Sequence, residues 1–197
     1  MKKLITVLIT ALLLIEGSAY AAGTLEVAEA AYSKGNYAEA AKLLKPLAMN
    51  GDAKAQFRLG MMYNIGIKEI QDYAEAAKWF KLSAARGYAL GQFHLGTMYD
   101  YGKGVPKDYV MAVKWYKLAA EQGQAGAQEF LGHMYQFGNG VVKDNVKAYM
   151  WFNLAAAQTN IRAIENRNKI SEIMTSQQIA QAQKLASECL ARNYKGC

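Results

Sequence analysis

Proline, cysteine and histidine are all scarce in this chain, each occurring twice in 197 residues. With two prolines there is no Pro-rich linker, and no Gly- or Ser-rich one interrupts the chain, so we do not expect a second independent domain. The histidines, His94 and His133, have neither a cysteine nor another histidine near them in sequence. Because metal ligands normally recur at short spacings, we predict no metal site and no cofactor.

Motifs that carry catalytic chemistry are also missing. The sequence has no Ser-x-x-Lys, no Gly-x-Ser-x-Gly and no His-Glu-x-x-His. The stretch from Gly96 to Lys103 fails as a phosphate-binding loop, because five residues separate its glycines and Gly104 replaces the Ser or Thr. Acidic residues such as Asp100, Glu121 and Glu129 are scattered without a pairing typical of acid–base catalysis. We therefore predict that the protein is not an enzyme.

A long hydrophobic run is absent except at the start of the chain. Two lysines precede the apolar run Leu4 to Ile15, and Ser18 to Ala21 ends in an Ala-x-Ala cleavage site, which predicts a signal peptide over residues 1–21. The run is too short for a membrane span. No cysteine lies near the cleavage site to carry a lipid anchor. We expect cleavage after Ala21 and a periplasmic or secreted protein.

Internal repetition is what the sequence has in abundance. Three segments of 36 residues, Ala53 to Tyr88, Ala89 to Gln124 and Ala125 to Asn160, align without a gap. The identical positions include a Gln, a Leu-Gly pair, a Met-Tyr pair, a Trp and a Leu: Gln56/Gln92/Gln128, Leu59/Leu95/Leu131, Gly60/Gly96/Gly132, Met62/Met98/Met134, Tyr63/Tyr99/Tyr135, Trp79/Trp115/Trp151 and Leu82/Leu118/Leu154. A strict period of this length predicts an all-α solenoid built from helix pairs.

Each copy has the signals of two helices. A glycine (Gly66, Gly102 or Gly138) is placed to end the first helix, and an aspartate (Asp72, Asp108 or Asp144) to cap the start of the second. The glycine inside each first helix (Gly60, Gly96 or Gly132) predicts a place where two helix backbones nearly touch. The repeated Trp is predicted to fill the gap between one helix pair and the next.

The second copy carries a recognisable family signature. Its runs Ala89 to Tyr99, Gly102 to Asp108, Ala112 to Trp115 and Leu118 to Gly123 resemble the Sel1-like repeat, a relative of the tetratricopeptide repeat. The resemblance implies a right-handed superhelix of antiparallel helix pairs that binds other proteins. Two departures are a changed loop at Ile67 to Gln71 in copy one and Thr159 in place of the closing glycine in copy three.

The ends of the array are predicted to be caps, since terminal units of a solenoid cannot bury their outer faces. Residues 22–52 are a shortened, degenerate repeat. Residues 161–197 are predicted to form a capping helix pair, with a Thr-x-x-Gln capping box at Thr175 to Gln178. Near the end of the chain, Cys189 and Cys197 should form a disulfide in an oxidising compartment, the alternatives being free thiols or an intermolecular bridge.

The chain is basic, with a formal net charge of +7. Lysines on the second helices are interpreted as a solvated outer face, with weak contact to an anionic lipid surface as the alternative: Lys78, Lys81, Lys114 and Lys117. Export argues against nucleic acid as a partner. We expect a monomer that binds a protein or peptide.

The binding surface is predicted where the copies differ on their first helices, since identical positions are explained by packing. The predicted contact set combines aromatic and isolated polar side chains: Arg58, Phe93, His94, Tyr101, Phe130 and Phe137. Packing between repeats is the alternative explanation of these aromatics. The predicted function is a non-enzymatic interaction scaffold of the bacterial envelope that binds a peptide or protein segment in the concave groove. The resemblance to tetratricopeptide-type superhelices implies that the first helices line this groove. The alternative is weak binding or hydrolysis of β-lactams, as in cysteine-rich Sel1-like relatives, although these repeats hold no cysteine.

Overall fold

The computed structural model describes residues 24–66 and 71–197, and within these ranges it contains ten helices and no strand. The helices are α1 (24–33), α2 (Tyr37–Met49), α3 (Ala53–Ile65), α4 (Tyr73–Ala85), α5 (Ala89–Tyr101), α6 (Tyr109–Ala120), α7 (Ala125–Phe137), α8 (Asn145–Ala156), α9 (Ile161–Ser171) and α10 (Ser176–Ala191). The predicted signal peptide and most of the changed loop after Gly66 lie outside the described residues.

The helix ends form as their sequences predict. The side chains of Asp72, Asp108 and Asp144 accept hydrogen bonds from backbone N–H groups at 2.9, 3.0 and 3.0 Å. These bonds satisfy donors that the first turn of a helix leaves without partners. Thr159 adopts a φ of +62° where Gly123 has +81°, so the position keeps its left-handed backbone after losing its glycine.

The helices pack in chain order as a solenoid. Each first helix packs on the second helix of its own repeat, and each second helix packs on the next first helix. The tryptophans join successive units, as predicted: Trp79 packs against the cluster of α1 to α3, Trp115 against a cluster shared by repeats one and two, and Trp151 within one shared by repeats two and three and α10. The predicted all-α solenoid is confirmed.

The glycine inside each first helix has a different neighbour from the one predicted. A Cβ atom on Gly60 or Gly96 would lie 2.7 Å from the ring of Phe80 or Tyr116, and one on Gly132 would lie 2.5 Å from the ring of Phe152. The close approach is therefore between a helix backbone and an aromatic ring of the second helix. The prediction of two touching backbones is wrong, because the second helix reaches across with a ring.

The two C-terminal helices both pack on α8, but in different ways. Helix α9 packs on α8 as a first helix would, but α10 also packs on α8 and not back-to-back on α9. As a result Leu154 is fully buried, whereas its equivalents Leu82 and Leu118 are 48% and 37% exposed. A residue that is identical in all three copies is therefore not always buried. The sequence analysis had assumed that packing explains every identical position.

The predicted disulfide is present. Cys189 at the end of α10 is bonded to Cys197, with their Cα atoms 5.6 Å apart. The tail between them folds back so that the Tyr194 ring lies against Gly123, at the corner between α6 and α7. The bond therefore holds the end of the chain against the second repeat.

Candidate interaction surface

Aromatic side chains from three consecutive first helices form one row, which we call the aromatic row. Its ring centroids are 5.4 Å apart for Phe57 and His94, 5.2 Å for His94 and Phe93, and 5.6 Å for Phe93 and Phe130. The row continues to His133 at 6.5 Å and then to Phe137 at 6.1 Å. The surface of α3, α5 and α7 that carries this row is the first-helix face.

Rings from the second helices lie beneath the row. Phe80 stacks on His94 at 5.2 Å, Tyr116 lies 5.9 Å from Phe93 and 5.3 Å from Phe130, and Phe152 lies 5.1 Å from His133. These three underlying rings are fully buried. Three predicted contact residues, Phe93, His94 and Phe130, are consequently half-buried and partly committed to packing between the layers.

Burial also keeps the histidines uncharged. Burial lowers the pKa of His94 to about 4. It lowers the pKa of His133 as well, against the opposing charge of Glu129. At neutral pH both imidazoles are therefore neutral aromatic rings, in keeping with their place in the row.

Arg58 is held by residues of α1. Its Nε and Nη2 atoms donate to the two carboxylate oxygens of Glu29 at 2.6 and 2.5 Å. Its guanidinium also lies 5.3 Å from the ring centroid of Tyr32 and 5.7 Å from that of Phe57. This bidentate pair joins α1 to α3 and uses much of the hydrogen-bonding capacity of Arg58.

Tyr101 and Phe137 have the greatest exposure of the predicted set. They are the last residues of α5 and α7, and their side chains are 60% and 64% exposed. Ile65 ends α3 in the same way, and Ile173 follows the end of α9 at the same spacing; both are exposed. The sequence analysis named Tyr101 and Phe137 at this spacing but missed Ile173, although the constant spacing would have found it. We call these four side chains the apolar edge.

Polar groups interrupt the aromatic surface in repeats two and three. The Tyr116 hydroxyl donates to Asp100 at 3.1 Å, and burial raises the pKa values of both groups. Asn166 of α9 lies 3.0 Å from Nε2 of His133, and the buried Glu129 accepts from Asn160 at 3.1 Å. Sequence analysis did not assign roles to Asn166 or Tyr116.

The repeated glutamines keep the repeats in register. The side chains of Gln56, Gln92 and Gln128 donate to the last turn of the preceding second helix, accepted by Ala48, Ala84 and Ala120. Gln122 and Gln158 then donate to Gln92 and Gln128 at 2.7 and 2.8 Å. These bonds join each first helix to the end of the second helix before it, and so help to hold successive repeats in place.

The described ranges lack two features of other functional classes. No group of three or more His, Cys, Asp or Glu side chains there could hold a metal ion. None of the helices in these ranges has the length and apolar content needed to cross a membrane.

The fold and the repeated contacts define the class as an α-solenoid of tandem helix pairs. A sequence profile described as Sel1 repeat matches residues 53–88, 89–124 and 125–160. The chain belongs to the Sel1 repeat family. No curated protein matches it.

Solved structures of bacterial Sel1 repeat proteins share the fold. A protective antigen present in uropathogenic Escherichia coli strains, displaying an SLR fold, is 34% identical over 88% of this chain, with a TM-score of 0.81. This chain spans 39% of that protein's length. A Sel1 repeat protein from Oxalobacter formigenes is 27% identical, with a TM-score of 0.65, over 84% of this chain and 75% of its own.

Proposed function

We propose that this protein is a non-enzymatic interaction scaffold of the bacterial envelope, which holds a peptide or a segment of a protein against its first-helix face. Sel1 repeat proteins are generally protein-interaction scaffolds. The observation that carries the proposal is the exposure of two large aromatic side chains, Tyr101 and Phe137, at equivalent ends of α5 and α7. Tyr and Phe are enriched at protein interfaces, and Tyr is among the residues that most often dominate binding energy.

The six contact residues then divide by role. Tyr101 and Phe137 make the main apolar contacts at the edge of the face. The half-buried Phe93, His94 and Phe130 form the floor, and their stacking on the second-helix rings holds it in place. Arg58 lies at the N-terminal limit of the surface, and its guanidinium is already hydrogen-bonded to Glu29.

Envelope location is supported by three observations. The start of the sequence has the pattern of a cleaved signal peptide. The disulfide between Cys189 and Cys197 suits an oxidising compartment. The related Escherichia coli protein is described as a protective antigen, a role that agrees with export.

No observation favours β-lactam chemistry, since both cysteines of the chain are in the C-terminal disulfide.

The proposal is tested by capturing partners from intact cells with the mature protein and with two double variants. Tyr101→Ala with Phe137→Ala removes exposed rings, so it should reduce capture more than tenfold, or about 1.5 kcal/mol, with circular dichroism unchanged. Lys114→Ala with Lys117→Ala changes the outer face and should capture the same partners as the parent. The reverse pattern would place the partner on the outer basic face and end the proposal. Phe93 is avoided because its ring contacts Tyr116 and Phe130.

A further inference from the structure

Lysine occupies the same two positions in three successive second helices. These positions are three residues apart and supply six exposed side chains: Lys42 and Lys45 in α2, Lys78 and Lys81 in α4, and Lys114 and Lys117 in α6. In α6 the residues Ala112, Tyr116 and Ala119 are buried, so the helical period places both lysines on the side that faces away from the core. The outer face therefore extends over α2, α4 and α6.

Repeat three shows where this open face ends. In α8 the two lysine positions hold Met150 and Asn153 instead, and α10 packs on this helix. Met150 is buried in the same cluster as Ala186 and Cys189 of α10. Lysine thus recurs in each second helix whose outer side is open, and it is absent from both positions where the chain covers that side itself.

Positive charge exceeds negative charge on this face. Within α2, α4 and α6, six lysines stand against two glutamates, Glu39 and Glu75. The residues that directly flank these helices add one arginine and three carboxylates: Arg86, Asp72, Asp108 and Glu121. Two lysines are paired, Lys78 with Glu75 at 2.8 Å and Lys117 with Glu121 at 3.8 Å. Among the described residues the other four lysines form no ion pair, so they are available to an external anion: Lys42, Lys45, Lys81 and Lys114.

Apolar side chains are exposed between these lysines. Leu82 and Leu118 directly follow the second lysine of α4 and of α6, and both are exposed, whereas their equivalent Leu154 is buried. Met49 of α2 and Val110 of α6 lie on the same side of their helices and are 72% and 65% exposed. Water alone does not favour such side chains on an open face. A lipid surface accepts both kinds, because lysines stay at the level of the phosphates and apolar side chains enter the boundary with the acyl chains.

We propose that the outer face of α2, α4 and α6 docks on a membrane surface that contains anionic phospholipid. Lysines near such a surface are attracted by its negative potential, and lipids can move sideways until a phosphate meets each lysine. Because the first helices form the other layer of the solenoid, this orientation directs the first-helix face away from the lipid, where a partner can reach it. The inference goes beyond the proposed function and does not depend on it.

Vesicle co-sedimentation with the mature protein tests the docking. One set of vesicles is pure phosphatidylcholine, and the other is an equal mixture of phosphatidylcholine and phosphatidylglycerol. The parent should sediment with the mixed vesicles at low ionic strength and stay in solution with phosphatidylcholine alone. Added salt should release it, because screening weakens the attraction between the lysines and the lipid phosphates.

Two triple variants separate the outer face from net charge. Lys45→Gln with Lys81→Gln and Lys114→Gln removes one unpaired lysine from each helix, and it should lower the partition coefficient more than about tenfold. The control removes three exposed charges from the turn after α1 and from α9: Lys34→Gln, Arg162→Gln and Lys169→Gln. It has the same net charge, but it should lower the partition coefficient less than about threefold. Circular dichroism should show that both variants are folded.

Equal losses in the two variants would show that binding follows net charge alone, and would overturn the inference. A parent protein that stays in solution with the mixed vesicles would overturn it as well. Either result leaves the proposed function standing, since capture of a partner on the first-helix face is measured separately from lipid binding.

Discussion

The two layers of the solenoid use aromatic residues for different purposes. In the second helices, Phe80, Tyr116 and Phe152 occupy one repeated position and are completely buried on a glycine of the first helix. In the first helices, the position of Arg58 becomes His94 and then Phe130, and all three are half-buried. The buried position is aromatic in every repeat because it sets the distance between the two layers of helices. The residues of the first-helix face can vary because that distance is already fixed.

The largest effect should come from the buried layer. Trp151 is 1% exposed, whereas the equivalent Trp79 is only half-buried. Trp151→Ala should cost about 3–5 kcal/mol of unfolding free energy, because it opens a cavity that its neighbours cannot fill. Trp79→Ala should cost clearly less. Urea titrations of the two variants measure the difference, and equal losses would show that burial of the repeated Trp does not decide stability.

A smaller effect should come from His94 on the first-helix face. The unfolded chain takes up a proton near pH 6.5, but the folded chain resists it down to about pH 4. The unfolding free energy should therefore decline as the pH falls through this window, by at most about 3 kcal/mol.

The matched variant is His94→Phe, which installs the residue of the third copy. Its stability should depend less on pH between 6.5 and 4, as measured by thermal unfolding at a series of pH values. Parallel curves for the parent and the variant would mean that His94 is protonated in the folded protein as readily as in the unfolded chain.

The smallest stability effect concerns the contact between the layers. Gly132→Ala would place a Cβ atom 2.5 Å from the Phe152 ring, so it should cost about 1–3 kcal/mol by overpacking, despite the higher helix propensity of Ala. Gly126→Ala lies in the same helix with its nearest neighbours at 3.2 to 3.3 Å. It should be neutral or slightly stabilising by the same thermal assay. If both substitutions were equally harmless, the ring would not need the glycine.

Local signals in the repeats predicted the backbone well. The aspartate caps and the glycine helix ends each depend on a few adjacent residues, which the sequence shows directly. The period of the repeat then fixed which helices are neighbours. That is why the solenoid and the linking role of the tryptophans followed without a structure. The pairing of Cys189 with Cys197 followed instead from their being the two cysteines of the chain, close together in sequence.

Contacts that depend on the ends of the array could not be predicted in this way. The salt bridge of Arg58 needs Glu29 from α1, which lies outside the repeats and shares little of their pattern. The packing of α10 on α8, and with it the burial of Leu154, has no counterpart in the repeats. Phe93 and Phe130 are half-buried because they pack against a ring of another helix. The spacing of residues in the sequence does not show how far such a ring extends.

Site-specific photocrosslinking tests the central claim, that the partner lies on the first-helix face. A benzophenone amino acid replaces Phe137 in one protein and Leu118 in another; both are partly exposed, but Leu118 lies on the second helix α6. After irradiation of intact cells, position 137 should yield a discrete crosslinked species and position 118 should not. A species formed only from position 118 would contradict the account and place the partner on the outer face.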